Sequence, residues 1–218
     1  MNFASAFTPE KLQEAWECLL NEFPFAIWET LYSTLLATFF AIVIGLPLGV
    51  LLVTGESKGI RPLPGPVMNF LNVLINLLRS VPFIILMVMI IPLTVAAFPF
   101  IARLVESSLR EVNPNIIEAA QSMGASSWQI VTRVMLPESV PSLITNFTLA
   151  ITTIMGYTAM SGAVGGGGLG KLALSYGYQR YRFAVLYLAV IVLVIITQVI
   201  QSFGTWLARK SDKRLKEK

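Results

Sequence analysis

The stretch Ser161 to Leu172, SGAVGGGGLGKL, contains Gly165, four further residues and then Gly170-Lys171, the spacing of a loop that cradles phosphate with backbone N–H groups. That chemistry also needs Ser or Thr after the lysine to hold Mg2+, and position 172 is Leu. It needs a β-strand in front, where this chain has a long apolar run. The glycines are instead expected to form a flexible break at the outer end of a membrane span. No catalytic set competes. The chain has no His, Cys18 is its one cysteine, and it lacks a Gly-x-Ser-x-Gly elbow and an acidic pair inside an apolar run. Hydrolase, metal and redox readings lose their ligands, so the chain is expected not to be an enzyme and to bind no cofactor itself.

The second candidate is a contact surface rather than a reaction centre. Glu106 to Pro141 is the one long polar interval. Asn113-Pro114 reads as an N-cap with proline at the first helical position, and Gly124 as the left-handed residue that ends the helix. Ser126-x-x-Gln129 offers a capping box for a second short helix, expected to stop before Pro137. On the first helix Ile116, Ala119, Ala120 and Met123 share a stripe expected to anchor it, while Glu118, Gln121 and Ser122 point the other way, toward a partner. Simple packing of that helix on its own bundle is the alternative that the pattern alone leaves open.

Both candidates need a scaffold, and composition says which. The 218 residues are 55% hydrophobic and 13% charged, with a mean hydropathy of +0.71, where soluble domains carry about a quarter charged residues. The formal charge of +4 does not point to nucleic acid, because the basic residues lie between and after apolar runs. Three neutral windows, Thr30 to Gly55, Ser139 to Gly170 and Phe183 to Ala208, each exceed the roughly 20 residues that a helix needs to cross a bilayer. These are spans 1, 4 and 5. Val67 to Val105, interrupted by Arg79, Pro82, Pro92, Pro99 and Arg103, is too long for one crossing and reads as a hairpin of spans 2 and 3 turning near Ile91-Pro92.

The expectation is an all-α membrane protein with five transmembrane helices, its N-terminus outside and a cytoplasmic loop between spans 3 and 4. This topology leaves only Lys11, Lys171, Arg180 and Arg182 outside and puts the Arg103–Arg133 loop and the basic tail inside, as the charge bias of membrane proteins requires. Residues 1–27 form an extracytoplasmic or interfacial segment, in which Pro9 to Phe23 is a surface helix rather than a signal peptide. Residues 28–208 form the transmembrane domain, with the loop at about 106–141, and 209–218 the basic cytoplasmic tail.

Glu118-Ala119-Ala120, three residues, Gly124, nine residues and Val134-Met135-Leu136-Pro137 resemble the "EAA" signature of ATP-binding-cassette importer permeases, with Val134 where Ile is usual. The resemblance implies that the loop is a coupling helix docking in a separate ATPase subunit, with Glu118, Ala119, Ala120, Gly124, Val134, Leu136 and Pro137 as its coupling residues. RSVPFIIL from Arg79, FPFIAR from Phe98 and the run from Gly156 to Tyr181 are similar to the permeases of methionine importers, the MetI family. That likeness extends from Trp28 onward, except that the family carries a longer segment than the one around Met89 to Thr94.

It implies a multi-pass protein of the bacterial inner membrane that carries methionine, L and D, by alternating access. The partners implied are two copies of a cytoplasmic ATPase, which uses ATP and Mg, a solute-binding lipoprotein outside, membrane lipid and a second copy of this chain. No nucleic acid is implied. A permease for an osmoprotectant, a phosphonate or another amino acid is the nearest alternative, and a passive channel a distant one.

Methionine is a zwitterion with a flexible apolar thioether, so its path needs few fixed charges and adaptable walls. Span 4 offers Asn146, Thr148, Thr152, Thr153, Tyr157, Thr158 and Ser161 among Met155 and Met160, although packing between helices favours the same small polar residues. Met160 matches the family's gate-region run and is expected to be an apolar gate, with Met155, Tyr157 and Ser161 beside it. Arg79 is expected either to snorkel to the cytoplasmic headgroups or to contact solute. Gly45-x-x-x-Gly49 with Pro47 inside suits close helix approach and a kink.

Overall fold

The computed structural model describes residues 8–57, 59–82 and 93–212, excepting the side chain of Leu12. All regular elements among them are helical. The order is α1 (Pro9–Asn21), α2 (Phe23–Thr54), α3 (Gly65–Ser80), α4 (Leu93–Arg110), α5 (Pro114–Ser122) and α6 (Ser127–Ile130), a π segment (Val131–Met135), then α7 (Leu136–Ser161). A short 3-10 turn (Gly162–Val164), α8 (Gly168–Lys171), a second π segment (Leu172–Tyr178) and α9 (Phe183–Ser211) complete it. Among the described residues, three stretches are long and apolar enough to cross a membrane: Phe23–Thr54, Ser127–Val164 and Phe183–Ser211.

The chain divides into two compact units, and α2, α7 and α9 each contribute to both. In the unit comprising residues 1–38, 83–93 and 151–200, α1 supplies Ala15 and α2 supplies Phe23 and Ala26 to a core closed by Leu169, Leu172, Ala184, Val185 and Ala189. The helix expected over Pro9 to Phe23 is therefore present, and its Ala15 is fully buried. Thr30, Thr34 and Thr38, spaced one turn apart, form a buried stripe on α2. Thr30 and Thr38 donate back to the carbonyls of Ala26 and Thr34, which satisfies hydroxyls that would otherwise be costly to bury.

In the other unit, residues 39–82, 94–150 and 201–218, Leu52, Met68, Ile75 and Ala102 form one core cluster. The Gly45 and Gly49 pair does bring helices close. A Cβ on Gly45 would lie 2.8 Å from Ile101 Cγ2, and one on Gly49 2.6 Å from the Ala102 carbonyl oxygen on α4. Only glycine at these positions lets the two backbones meet.

Helices α3 and α4 occupy the interval expected to hold spans 2 and 3. The turn expected near Ile91-Pro92 lies outside the described residues, as does most of Met89 to Thr94. Helix α3 ends at Ser80 because Val81 precedes Pro82 and is held extended, at φ −72° and ψ 127°. Arg79 thus lies in the last turn of this 16-residue helix and is exposed.

Candidate functional site

The polar loop folds into an elbow whose every corner is set by a local interaction. Asn113 caps α5 by accepting the Asn115 N–H through its side chain at 3.0 Å, and Pro114 follows at the first helical position. The helix ends in a Schellman motif: the Gly124 N–H bonds the Gln121 carbonyl at 2.9 Å and the Ala125 N–H bonds the Ala120 carbonyl at 3.1 Å. Gly124 has φ +79° and nothing within 4 Å of its Cβ position, so conformation alone requires glycine there. Ser126 and Gln129 form the full reciprocal capping box of α6.

The second helix does not stop before Pro137, as the sequence suggested. It widens into a π turn in which the Leu136 N–H bonds the Val131 carbonyl, and it continues as α7. A proline lacks the N–H and crowds the carbonyl four residues back, and the wider turn lies directly before Pro137, where that crowding falls. Val134, Leu136 and Pro137 therefore belong to this joint between elbow and long helix, and α5 packs on it.

The side of α5 expected to anchor needs correction. Ala120 is buried, but Ile116, Ala119 and Met123 are exposed, together with Glu118. Met123 is the C-cap, where the backbone leaves helical geometry and the stripe ends, and its side chain is 81% exposed. Trp128, at the second position of α6, is 74% exposed. The elbow thus exposes the apolar side chains of Ile116, Met123 and Trp128 as well as Glu118. Trp128 was not singled out from the sequence; a tryptophan just inside a capped, solvent-facing helix was the available signal.

The second region is the far end of α7. Met155 is 1% exposed and accepts the Thr197 hydroxyl at its Sδ, 3.4 Å away, whereas Met160 is 51% exposed. Five residues rotate about 140° around a helix, so these two methionines cannot share a face. Met155 is buried and, with Thr152 and Gly156, borders a cavity against α9, whereas Met160 is exposed. Thr158 is buried and hydrogen-bonds Thr34 at 3.2 Å, while Ser161, half-buried, donates to the Thr158 carbonyl at 2.6 Å. Tyr157 is half-buried. Asn146, in the other unit and half-buried, donates to Ser108 at 2.8 Å and to the Leu104 carbonyl at 3.2 Å.

Several positions of the glycine run are closely packed or left-handed. A Cβ on Gly162 would strike the Gly170 backbone, and one on Gly170 would strike the Ala159 carbonyl. Gly165 and Gly168 have φ of +94° and +75°. At these positions close approach and left-handed backbone call for glycine. The Gly168 N–H donates to Glu29 Oε2 at 2.6 Å and the Leu169 N–H to Thr30 Oγ1 at 2.9 Å.

Residues 27–217 match the family described as "Binding-protein-dependent transport system inner membrane component". The chain belongs to this family. It is 45% identical over 205 residues to the probable D-methionine transport system permease protein MetI of Pasteurella multocida, covering 85% of this chain and 94% of that protein. With the protein of the same description from Vibrio cholerae, identity is 41% over 207 residues, covering 87% and 92%. Among solved structures, a native crystal form of the inward-facing MetNI methionine ABC transporter has a chain that is 39% identical, with a TM-score of 0.86, over 90% of this chain and 99% of that one. As a member of the family, the chain is a membrane-embedded transport permease.

Proposed function

We propose that this chain is the permease subunit of an ATP-binding-cassette importer for methionine, crossing the inner membrane five times with its N-terminus outside. The observation that carries the reading is the elbow. A capped α5 exposes Glu118 and Ala119 as well as Ile116 and Met123, α6 exposes Trp128, and the π turn joins α6 to α7 without a break. The likeness to methionine permeases supplies the solute.

On this reading two ATPase subunits, which bind the ATP and Mg, each receive one α5, and two copies of the chain line one pathway. Closure of the ATPases on ATP displaces α5. Because α5 packs on the joint at the base of α7, its displacement tilts the helix that carries Met160. Alternating access follows if ATP binds the two arrangements with different affinity. A solute-binding lipoprotein delivers methionine to the outer side. The open face of α7, with Gly156 and Met160, is an uncharged, adaptable wall suited to a thioether.

The test is uptake of labelled methionine in a strain lacking its own importer, with unlabelled betaine and phosphonate as competitors, and co-purification through a tag on this chain. Uptake that needs ATP, is competed by methionine and accompanies a captured ATPase subunit is expected. Capture of no ATPase, with uptake insensitive to ATP depletion, rejects the reading.

A further inference from the structure

A chain of charged contacts links elements beside the elbow. Glu56 lies in the loop between α2 and α3, and Arg110 is the last residue of α4. The Arg110 guanidinium grips the Glu56 carboxylate with two N–H groups, Nη1 to Oε2 at 3.2 Å and Nη2 to Oε1, the fork geometry of a bidentate pair. Arg110 also donates from Nε and Nη2 to Glu106 Oε1, at 3.2 and 2.9 Å. The other Glu106 oxygen accepts Arg103 Nη1 at 2.5 Å, and Arg103 Nη2 reaches Asn72 and Asn76 on α3 at 2.9 and 3.0 Å.

Single exposed ion pairs contribute little to stability. Here the pair is bidentate and continuous with the side chains of Glu106 and Arg103, only 12% and 19% exposed. The hydrogen bonds that Arg110 donates to Glu56 and then to Glu106 raise its pKa above its ordinary value.

The loop so gripped is itself braced. The N–H groups of Arg61 and Leu63 bond the carbonyls of Thr54 and Gly55, each at 3.0 Å. Its Ile60 carbonyl accepts the hydroxyl of Ser127, the first residue of α6, at 3.3 Å. The loop is thus held on both flanks of α5: by Arg110, three residues before the N-cap Asn113, and by Ser127 just after the Schellman turn.

We propose that Glu56 and Arg110 are positioning residues for coupling, an ionic strut that, with the Ser127 bond on the other flank, makes the α2–α3 loop move with the elbow. Without the strut, a push on α5 is absorbed by rotation at Glu111 and Val112, and hydrolysis proceeds with less transport. This inference rests on the coupling reading above.

The test uses the complete transporter in liposomes, with ATPase and solute-binding subunits, and reads methionine taken up per ATP hydrolysed. Thermal midpoint and ATPase co-purification are measured for each variant. E56Q is expected to lower the uptake ratio about fivefold, and R110Q at least as much, since coupling energies of this kind amount to a few kcal/mol at most. In the double variant E56Q/R110Q the ratio falls no further than in R110Q, because both substitutions break one pair. R110K, which keeps the charge without the fork, recovers part of the ratio. An unchanged ratio in E56Q overturns the strut, whether or not R110Q assembles. So does a double variant that loses the product of both single effects. In either case a wild-type complex that still couples leaves the importer reading standing. A wild-type complex whose uptake is indifferent to ATP overturns both.

Discussion

The Glu29 carboxylate accepts the Gly168 N–H at 2.6 Å, a contact between residues 139 positions apart. Two successive backbone N–H groups, of Gly168 and Leu169, face Glu29 and Thr30, and such a pair suits any oxygen acceptor. A loop with the spacing of a phosphate cradle therefore holds one of the protein's own carboxylates. Removing it by Glu29→Ala leaves the Gly168 N–H without that partner and should cost about 1–3 kcal/mol, read as a lower thermal midpoint in detergent. Glu29→Gln, which keeps an acceptor, should lose less. Equal midpoints for the alanine variant and wild type would contradict the assignment.

The glycines should separate into two groups on substitution. Gly162→Ala and Gly170→Ala place a Cβ into neighbouring backbone and are expected to abolish most of the folded yield, measured by size-exclusion chromatography. Gly124→Ala meets open space and only the positive φ resists it, so it should cost about 1 kcal/mol, with Gly124→Asn milder still.

The two methionines of α7 should behave oppositely. Met155→Ala opens a cavity in the packed interior and should destabilise by about 2–5 kcal/mol in thermal unfolding. Met160→Ala should leave the midpoint nearly unchanged and raise solute leak through proteoliposomes, or lower uptake per ATP. Unchanged leak and coupling would remove Met160 from the gate.

Met123→Ala and Trp128→Ala should leave the isolated permease as stable as wild type, since both side chains are exposed. If they seat in the ATPase subunit, each should weaken assembly by about tenfold or more, as truncation of an anchor does at other interfaces. Titration of the detergent-solubilised subunits by light scattering measures this directly.

Cys18 offers a pH-dependent readout of α1. Burial, and next the negative charge of Glu22, push its thiol pKa above 9.0, partly offset by Arg182. A raised pKa means less thiolate at a given pH below it, so alkylation at pH 8 should be slower in the folded chain than in the denatured one. The rate should climb as pH rises through and beyond 9. Equal rates in the two states at pH 8 would show α1 to be undocked.

What could be read along the chain was whatever neighbouring residues decide among themselves. The Asn113 cap, the Gly124 terminator and the Ser126–Gln129 box involve partners at most a few positions apart, and all three formed where the pattern placed them. The long apolar windows likewise became long helices, because satisfying the backbone in hydrocarbon leaves a helix little alternative. Which face of a helix is covered, however, depends on what packs against it. Periodicity put Ile116 and Met123 with Ala120, and the likeness to a family set Met155 beside Met160, but packing buried only Ala120 and Met155. The proline at 137 signalled a stop, and the π turn converted it into a joint. The grip of Arg110 on Glu56, 54 residues away, and the seat of Glu29 in the glycine loop arise only when distant segments are brought together. Their partners are chosen by the packing of helices, a three-dimensional constraint with no periodicity in the chain.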